Sequence, residues 1–288
     1  MLVIFLWQYN FVPLYVNSKI ITAEILVNNN KCNQGFSVAD DALKNHTFLD
    51  AYIRLQYVSF LKTCSGFNPA NDTAYAKKGI SLLTEATQIQ PLYSRAWLFL
   101  GSFTNILANK ETNTATKQIL ITEAYQYLNQ ASKLAPRHQE ITITQAQIAQ
   151  TAKDYIAMKN YSNACVALNP NIGACYFNLA LSEIYLKNTA EAEKDMQTAI
   201  DKGYNINSKT SLNQLSDAYS FLADWKDLAP VYEKLTEINP NNTQYHSTLA
   251  FIYAKLGQYD KARQEANTVL RLSPESKPNV DAFLKTLP

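Results

Sequence analysis

The sequence predicts an all-α protein, a right-handed α-solenoid built from tandem helical hairpins and closed by a C-terminal capping helix. Three observations carry that expectation. Pro136, Pro170, Pro240 and Pro274 keep step at separations of 34, 70 and 34 residues, and Pro91 precedes Pro136 by one such period plus 11. A helix-stopping residue at the end of each 34-residue unit marks stacked hairpins that bury their apolar faces on one another. Hydrophobic residues make up 47% of the chain, enough to fill such faces, and only seven of the 288 residues are glycine. So few glycines argue against a turn-rich β fold and against loops that cradle phosphate.

The elements follow in order. Residues 1–7 (MLVIFLW) are wholly apolar, residues 8–10 interrupt them, and residues 11–16 resume. Sixteen helical residues reach roughly 24 Å, short of the ~30 Å hydrocarbon layer. The first basic residue is Lys19, which is too late for a secretory leader. Residues 1–17 therefore carry two open readings: an arm packed on the first hairpin, or the end of a membrane helix whose earlier part is missing.

Residues 18–91 read as degenerate hairpins. The first spans 19–45, with Phe36, Ala39 and Leu43 on its second helix. The next has a helix over 48–64, a loop over 65–72 (SGFNPAND), and a closing helix with Gly79, Leu83, Ala86 and Pro91.

Residues 92–276 carry the regular units. One opens with Trp97, Leu100 and Gly101 and closes with Ala124, Leu128, Ala131 and Pro136; its extra length is expected in the polar run 110–117. Tyr155, Met158, Cys165 and Pro170 mark the next, and Tyr176, Leu179, Ala180, Ala192, Met196 and Ala199 the one after. Leu215, Tyr219, Trp225, Leu235 and Pro240 follow, with Pro230 expected to kink the second helix or delay its start.

The best-formed unit covers 243–276. Leu249, Ala250 and Tyr253 share a helical face, Gly257 allows a left-handed turn, and Ala262 and Ala266 let the paired helices approach. Residues 277–288 supply the capping helix that a solenoid end requires.

Two motifs name a resemblance. Trp97-Leu98-Phe99-Leu100-Gly101 and Gly257-Gln258-Tyr259-Asp260-Lys261-Ala262 are similar to the opening and the junction of tetratricopeptide repeats, and the resemblance runs from about residue 95 to 276. It implies a non-enzymatic scaffold that holds an extended protein partner in a concave groove lined by the first helix of each hairpin. Carried over by register, the groove residues are Arg95 and Asn105, Gln147 and Gln150, Phe177 and Tyr185, then Asn213, Asp217 and Phe221, and last Phe251 and Lys255.

Amides and aromatic faces suit a peptide, and a glycan is the second ligand class they admit. The Lys/Asn/Arg cluster with which chaperone-binding members clamp a carboxylate is absent.

A finer resemblance, in Asn10–Leu14 (NFVPL) after the apolar run and in residues 91–101 (PLYSRAWLFLG), is to the repeat tail of bacterial O-antigen ligase-type membrane proteins. It implies the extracytoplasmic face of a cell envelope, with membrane attachment through residues 1–16. A free-standing soluble scaffold for a multiprotein complex, cytoplasmic or envelope-associated, is the alternative, and an accessory to a glycan enzyme stands third.

A net charge of +2, from 26 basic and 24 acidic residues, excludes electrostatic recruitment of nucleic acid. No phosphate loop, dinucleotide fingerprint, His-Glu-x-x-His or Cys-x-x-Cys occurs, so no catalytic set, cofactor or metal is expected. His46, His138 and His246 fall in different units without a carboxylate or cysteine at ligand spacing, and His246 is read as packing.

Cys165 and Cys175 flank Pro170 by five residues each, within reach of the ~4.4–6.8 Å Cα separation of a disulfide. Cys32 and Cys64 fall at one end of adjacent hairpins. Two such pairs suggest an oxidising compartment; buried free thiols are the other open reading.

Overall fold

The computed structural model describes residues 7–288, which form fifteen α-helices and, among the described residues, no strand. The chain divides into two compact units, Met1–Leu168 and Asn169–Pro288. The sequence instead places its boundaries at 17, 91 and 276, where repeat regularity changes.

In the first unit a short π-helical turn, Trp7–Phe11, runs into α1 (Val12–Asn28), which pairs with α2 (Cys32–Leu43). Pro13 lies in the first turn of α1, directly after the π-helical turn. Residues 12–16 thus begin the first hairpin helix, which starts well before the expected residue 19. The apolar run 1–6 lies outside the described residues. Among the described residues, no helix is long and apolar enough to cross a membrane.

α3 (Asp50–Phe67) pairs with α4 (Asp72–Ile89), α5 (Ser94–Lys110) with α6 (Thr114–Leu134), and α7 (Gln139–Thr151) with α8 (Tyr155–Leu168). Both expected long loops are corrected here. Residues 65–67 extend α3, and Pro69–Asn71 form one 3-10 turn. The insertion expected at 110–117 is taken up as helix: α5 has 17 residues and α6 has 21, joined by residues 111–113. Lengthening a helix satisfies each added backbone group internally, which a polar loop leaves to water.

Leu83, Leu98, Leu100, Leu128 and Ile148 are fully buried along this unit, each contributing ~2 kcal/mol of transfer free energy. Arg54 is buried with them. Its guanidinium donates to Glu85 on α4 at 2.6 and 3.0 Å and to the Asp50 carbonyl at 3.1 Å, so the charge is paired and α3 is held to α4.

The second unit pairs α9 (Gly173–Tyr185) with α10 (Thr189–Asp201), α11 (Lys209–Leu222) with α12 (Trp225–Ile238), and α13 (Thr243–Lys255) with α14 (Tyr259–Leu272). A 3-10 turn, Pro274–Ser276, leads into the capping helix α15 (Lys277–Leu284), whose Val280 packs on Ala250, Ala266 and Val269. Pro230 neither breaks α12 nor delays it. The helix starts at Trp225, capped by the Asp224 carboxylate accepting the Asp227 N–H, and continues to Ile238.

Five of the first helices, α1, α7, α9, α11 and α13, end in one recurring left-handed turn, at Asn30, Lys153, Lys187, Ala223 and Gly257 with φ of 59, 59, 63, 54 and 72°. The following N–H reaches back to a helix carbonyl each time, as Gln258 does to Tyr253 at 2.9 Å. Only Gly257 adopts this conformation without a Cβ penalty, and a Cβ added there would touch nothing within 4 Å. Ala223→Gly should therefore stabilise the protein by about 0.5–1 kcal/mol and Gly257→Ala should destabilise it by about 1 kcal/mol. Guanidinium unfolding midpoints at equal slope measure both; equal signs for the two changes would contradict this account.

Candidate functional site

In the second unit, α11 and α13 present matching rows one repeat apart. Asn213, Asp217 and Phe221 lie along α11 at four-residue steps, on one helical face, and all three are exposed. Phe251 and Lys255 stand on α13 at the positions corresponding to Asp217 and Phe221, 34 residues on, and are exposed as well.

Phe221 is 53% and Phe251 43% exposed, which is high for rings of that size. Phe251 is oriented on two sides. Trp225 meets it edge-on at 5.6 Å, and the Lys255 ammonium lies 5.1 Å from its ring centroid. Such packing restricts the ring while leaving a face for a ligand. Asp217 stands at the surface, yet the protein around it excludes enough water to raise its carboxyl above the ordinary aspartate value.

A cavity of about 340 Å³ opens between α13, α14 and α15. Gln244, Ser247 and Asn279 form its polar rim, and Ala250, Val269 and Phe283 its apolar floor. Its origin is the length of α15. Eight residues cover less of the α13–α14 groove than the 13 of a full first helix would. Sequence reasoning missed Ser247, Asn279 and Phe283; the only signal was the shortness of the segment after Pro274.

The corresponding row on α9 is closed, and two expected groove residues are corrected. Phe177 is 1% exposed and stacks on Tyr204 at 4.6 Å, and Tyr185 is buried with its ring edge-on to Phe221 at 5.4 Å. Large apolar rings in this row are covered by aromatic neighbours of the same unit, so they serve packing and do not face a ligand.

In the first unit, α5 packs against α7 and brings together the helices that carry the other four groove residues. Arg95 is exposed, its guanidinium 5.1 Å from the Phe99 ring. Asn105, Gln147 and Gln150 are half-buried, and the buried Asn105 Oδ1 has no hydrogen-bond partner.

Two histidines do meet carboxylates. His46 Nδ1 lies 3.0 Å from Asp50, and His246 Nδ1 lies 2.5 Å from Glu265 with Nε2 2.9 Å from the Pro240 carbonyl. Glu265 is on α14, 19 residues from His246, a distance that spacing within one helix does not register. The imidazole ties α13 to α14 and to the preceding turn. Among the described residues no three His, Cys, Asp or Glu side chains gather to hold a metal.

Cys32 at the start of α2 and Cys64 near the end of α3 form a disulfide, with Cα atoms 6.0 Å apart. Cys165 and Cys175 are fully buried, one near the end of α8 and the other at the start of α9, and neither is a free thiol.

Comparison with known proteins agrees with this architecture. The tetratricopeptide repeat family matches residues 231–264, from within α12 through α13 into α14. The BBSome complex member BBS4 of Bos taurus is 29% identical over 104 residues, 36% of this chain and 18% of that protein. Among solved structures, the APC/C hetero-tetramer Cut9–Hcn1 superposes over 92% of this chain and 48% of its own, with TM-score 0.63 at 13% identity. A thermophilic TPR protein of Thermus thermophilus covers 72% of this chain and 99% of its own, with TM-score 0.55 at 12% identity. The pilF protein of Pseudomonas aeruginosa covers 82% and 97%, with TM-score 0.52 at 16% identity.

This chain therefore spans about half of the Cut9–Hcn1 chain, and its match covers under a fifth of the bovine relative. Identities this low speak to fold alone. Period, hairpin geometry and these likenesses together give the chain the tetratricopeptide-repeat fold.

Proposed function

We propose that the chain is a non-enzymatic scaffold that binds an extended protein segment along the α11–α13 face of its second unit. The carrying observation is the pair of exposed rings Phe221 and Phe251, on the rows that hold Asn213, Asp217 and Lys255, together with the cavity between α13, α14 and α15. Rings give flat apolar contact, and amides pair with a peptide backbone. The cavity is large enough for one apolar side chain, the arrangement that concentrates binding energy in a few anchors.

Peptides selected from a random phage library on the immobilised chain supply the probe. Phe251→Ala should weaken a selected peptide by about 1–2 kcal/mol, five- to thirty-fold, at unchanged melting temperature. Unchanged affinity in both Phe251→Ala and Phe221→Ala would remove this face as the site. Selection of glycan ligands in place of peptides on an array would turn the reading to the second ligand class.

The finer part of the proposal places the scaffold at the extracytoplasmic face of a bacterial envelope, as the tail of an O-antigen ligase-like membrane protein attached through residues 1–16. The Cys32–Cys64 disulfide and the apolar run before Trp7 support it. Reading the genomic frame upstream of Met1 tests it. An open frame with apolar segments of about 20 residues is expected, and an in-frame stop close upstream would refute the tail.

A further inference from the structure

α1 and the π-helical turn that leads into it carry two apolar faces. One, formed by Pro13, Val16, Ile20, Ala23 and Val27, is buried in the first unit. On the opposite side Trp7, Phe11, Leu14, Ser18, Ile21 and Ile25 succeed one another at steps of 4, 3, 4, 3 and 4 residues, and all six are exposed, Leu14 by 67% and Trp7 by 62%. Alternating steps of three and four hold side chains on the line along which a second helix packs. Lys19 and Glu24, the charged residues within 7–28, stand off this line, and Lys19 is ion-paired with Asp41 of α2. In the second unit α15 closes the last hairpin; among the described residues no helix plays that part on the outer face of α1.

The exposed area favours a built interface. At about 200 Å² for a large apolar side chain, the five on the line plus the neighbouring Tyr15, each half or more exposed, leave roughly 600–700 Å² open. The largest patch on an ordinary monomer is about 300–600 Å², and each partner of a standard interface covers about 800 Å².

We propose that this face docks on the same face of a second copy of the chain, α1 against α1, as a two-fold pair. A neutral line can meet its own copy without opposing like charges, as a self-complementary contact requires. The small Ser18 near its middle allows the two backbones to approach. A lipid surface is the competing occupant. Helices lying in a headgroup layer carry several basic residues on their flanks, whereas α1 offers Lys19, already paired. The proposal goes beyond the peptide-binding reading and is independent of it, because it concerns the first unit; it competes with the membrane attachment proposed for residues 1–16 over Trp7, Phe11 and Leu14, and the vesicle measurement below separates the two.

Sedimentation equilibrium on the full 288-residue chain tests it. The wild type should form a dimer with Kd of order micromolar, and Leu14→Glu/Ile21→Glu should raise Kd at least about 100-fold. Helical signal and melting temperature should hold, because both side chains are exposed. A Ser18→Cys chain should also cross-link into a species of twice the mass on oxidation, which decides the matter if the double variant folds poorly. A monomer at about 200 µM, or a dimer that the folded double variant leaves intact, overturns the proposal. So does a chain that stays monomeric alone but binds phosphatidylcholine–phosphatidylglycerol vesicles through Leu14 and Ile21, which assigns the face to lipid.

Discussion

Cys32→Ser should lower the stability of the first unit by about 3–4 kcal/mol, and Cys64→Ser by a similar amount. The bridge closes a loop of sequence separation 32, and in the chain-entropy account a loop of that size removes about 3–4 kcal/mol of freedom from the unfolded chain. It also joins the first hairpin to the second, since α2 and α3 carry its ends. Without it, α1 and α2 are held by Val16, Ile20, Ala39 and Ala42 against their neighbours, and several of these are small residues that bury little area.

Denaturant unfolding with and without reductant measures the effect. Without reductant the variant should unfold at lower denaturant than the wild type by this amount, and the loss should fall in the transition that reports the first unit. A loss below about 1 kcal/mol would mean that the unfolded chain is already compact around this loop, the case in which disulfides deliver less than the entropy estimate.

Leu128→Ala is the second large effect. Leu128 is fully buried on α6 and packs against Gly101 of α5, where a Cβ added to the glycine would lie 2.7 Å from Leu128 Cδ2 and 3.1 Å from the Ala124 carbonyl. Truncation removes apolar contacts and leaves a cavity between two of the longest helices in the chain, so a loss of about 3–4 kcal/mol is expected.

Gly101→Ala should also destabilise, by about 1–2 kcal/mol, despite alanine's better helix propensity, because α5 and α6 must separate to admit the methyl group. Combined, the two changes should cost less than their sum by about 1 kcal/mol, since the new methyl occupies space that Leu128 vacates. Strict additivity in equilibrium unfolding would show that the Ala124 backbone, and not Leu128, sets the closeness of the helices.

The hairpin architecture was legible because it rests on properties of single helices and turns. Pro136, Pro170, Pro240 and Pro274 stop helices through their own missing N–H, and Gly257 marks a left-handed turn through its own missing Cβ. Gly101 and Ala262 sit where paired helices come close, a requirement repeated every period. The capping helix after Pro274 follows from the same logic.

The candidate site was legible in half. Asn213, Asp217, Phe221, Phe251 and Lys255 lie exposed where register placed them, while Phe177 and Tyr185 at matching positions on α9 are covered by Tyr204 and Phe221. Register identifies the face of a helix but not what stands over it. That cover comes from residues far along the chain, and in the case of Tyr204 from a loop.

By itself, then, the sequence determined the period, the helix stops, the turns and the near neutrality of this protein, because each is a local or summed property of the residues. Only the tertiary structure decided that extra residues lengthen α5 and α6 instead of forming a loop, and that α9 closes its row. It also decided that the short α15 leaves a cavity, that His246 meets Glu265, and that α1 keeps a second apolar face in the open. Each of those depends on the distance between helices remote in sequence, and packing fixes that distance.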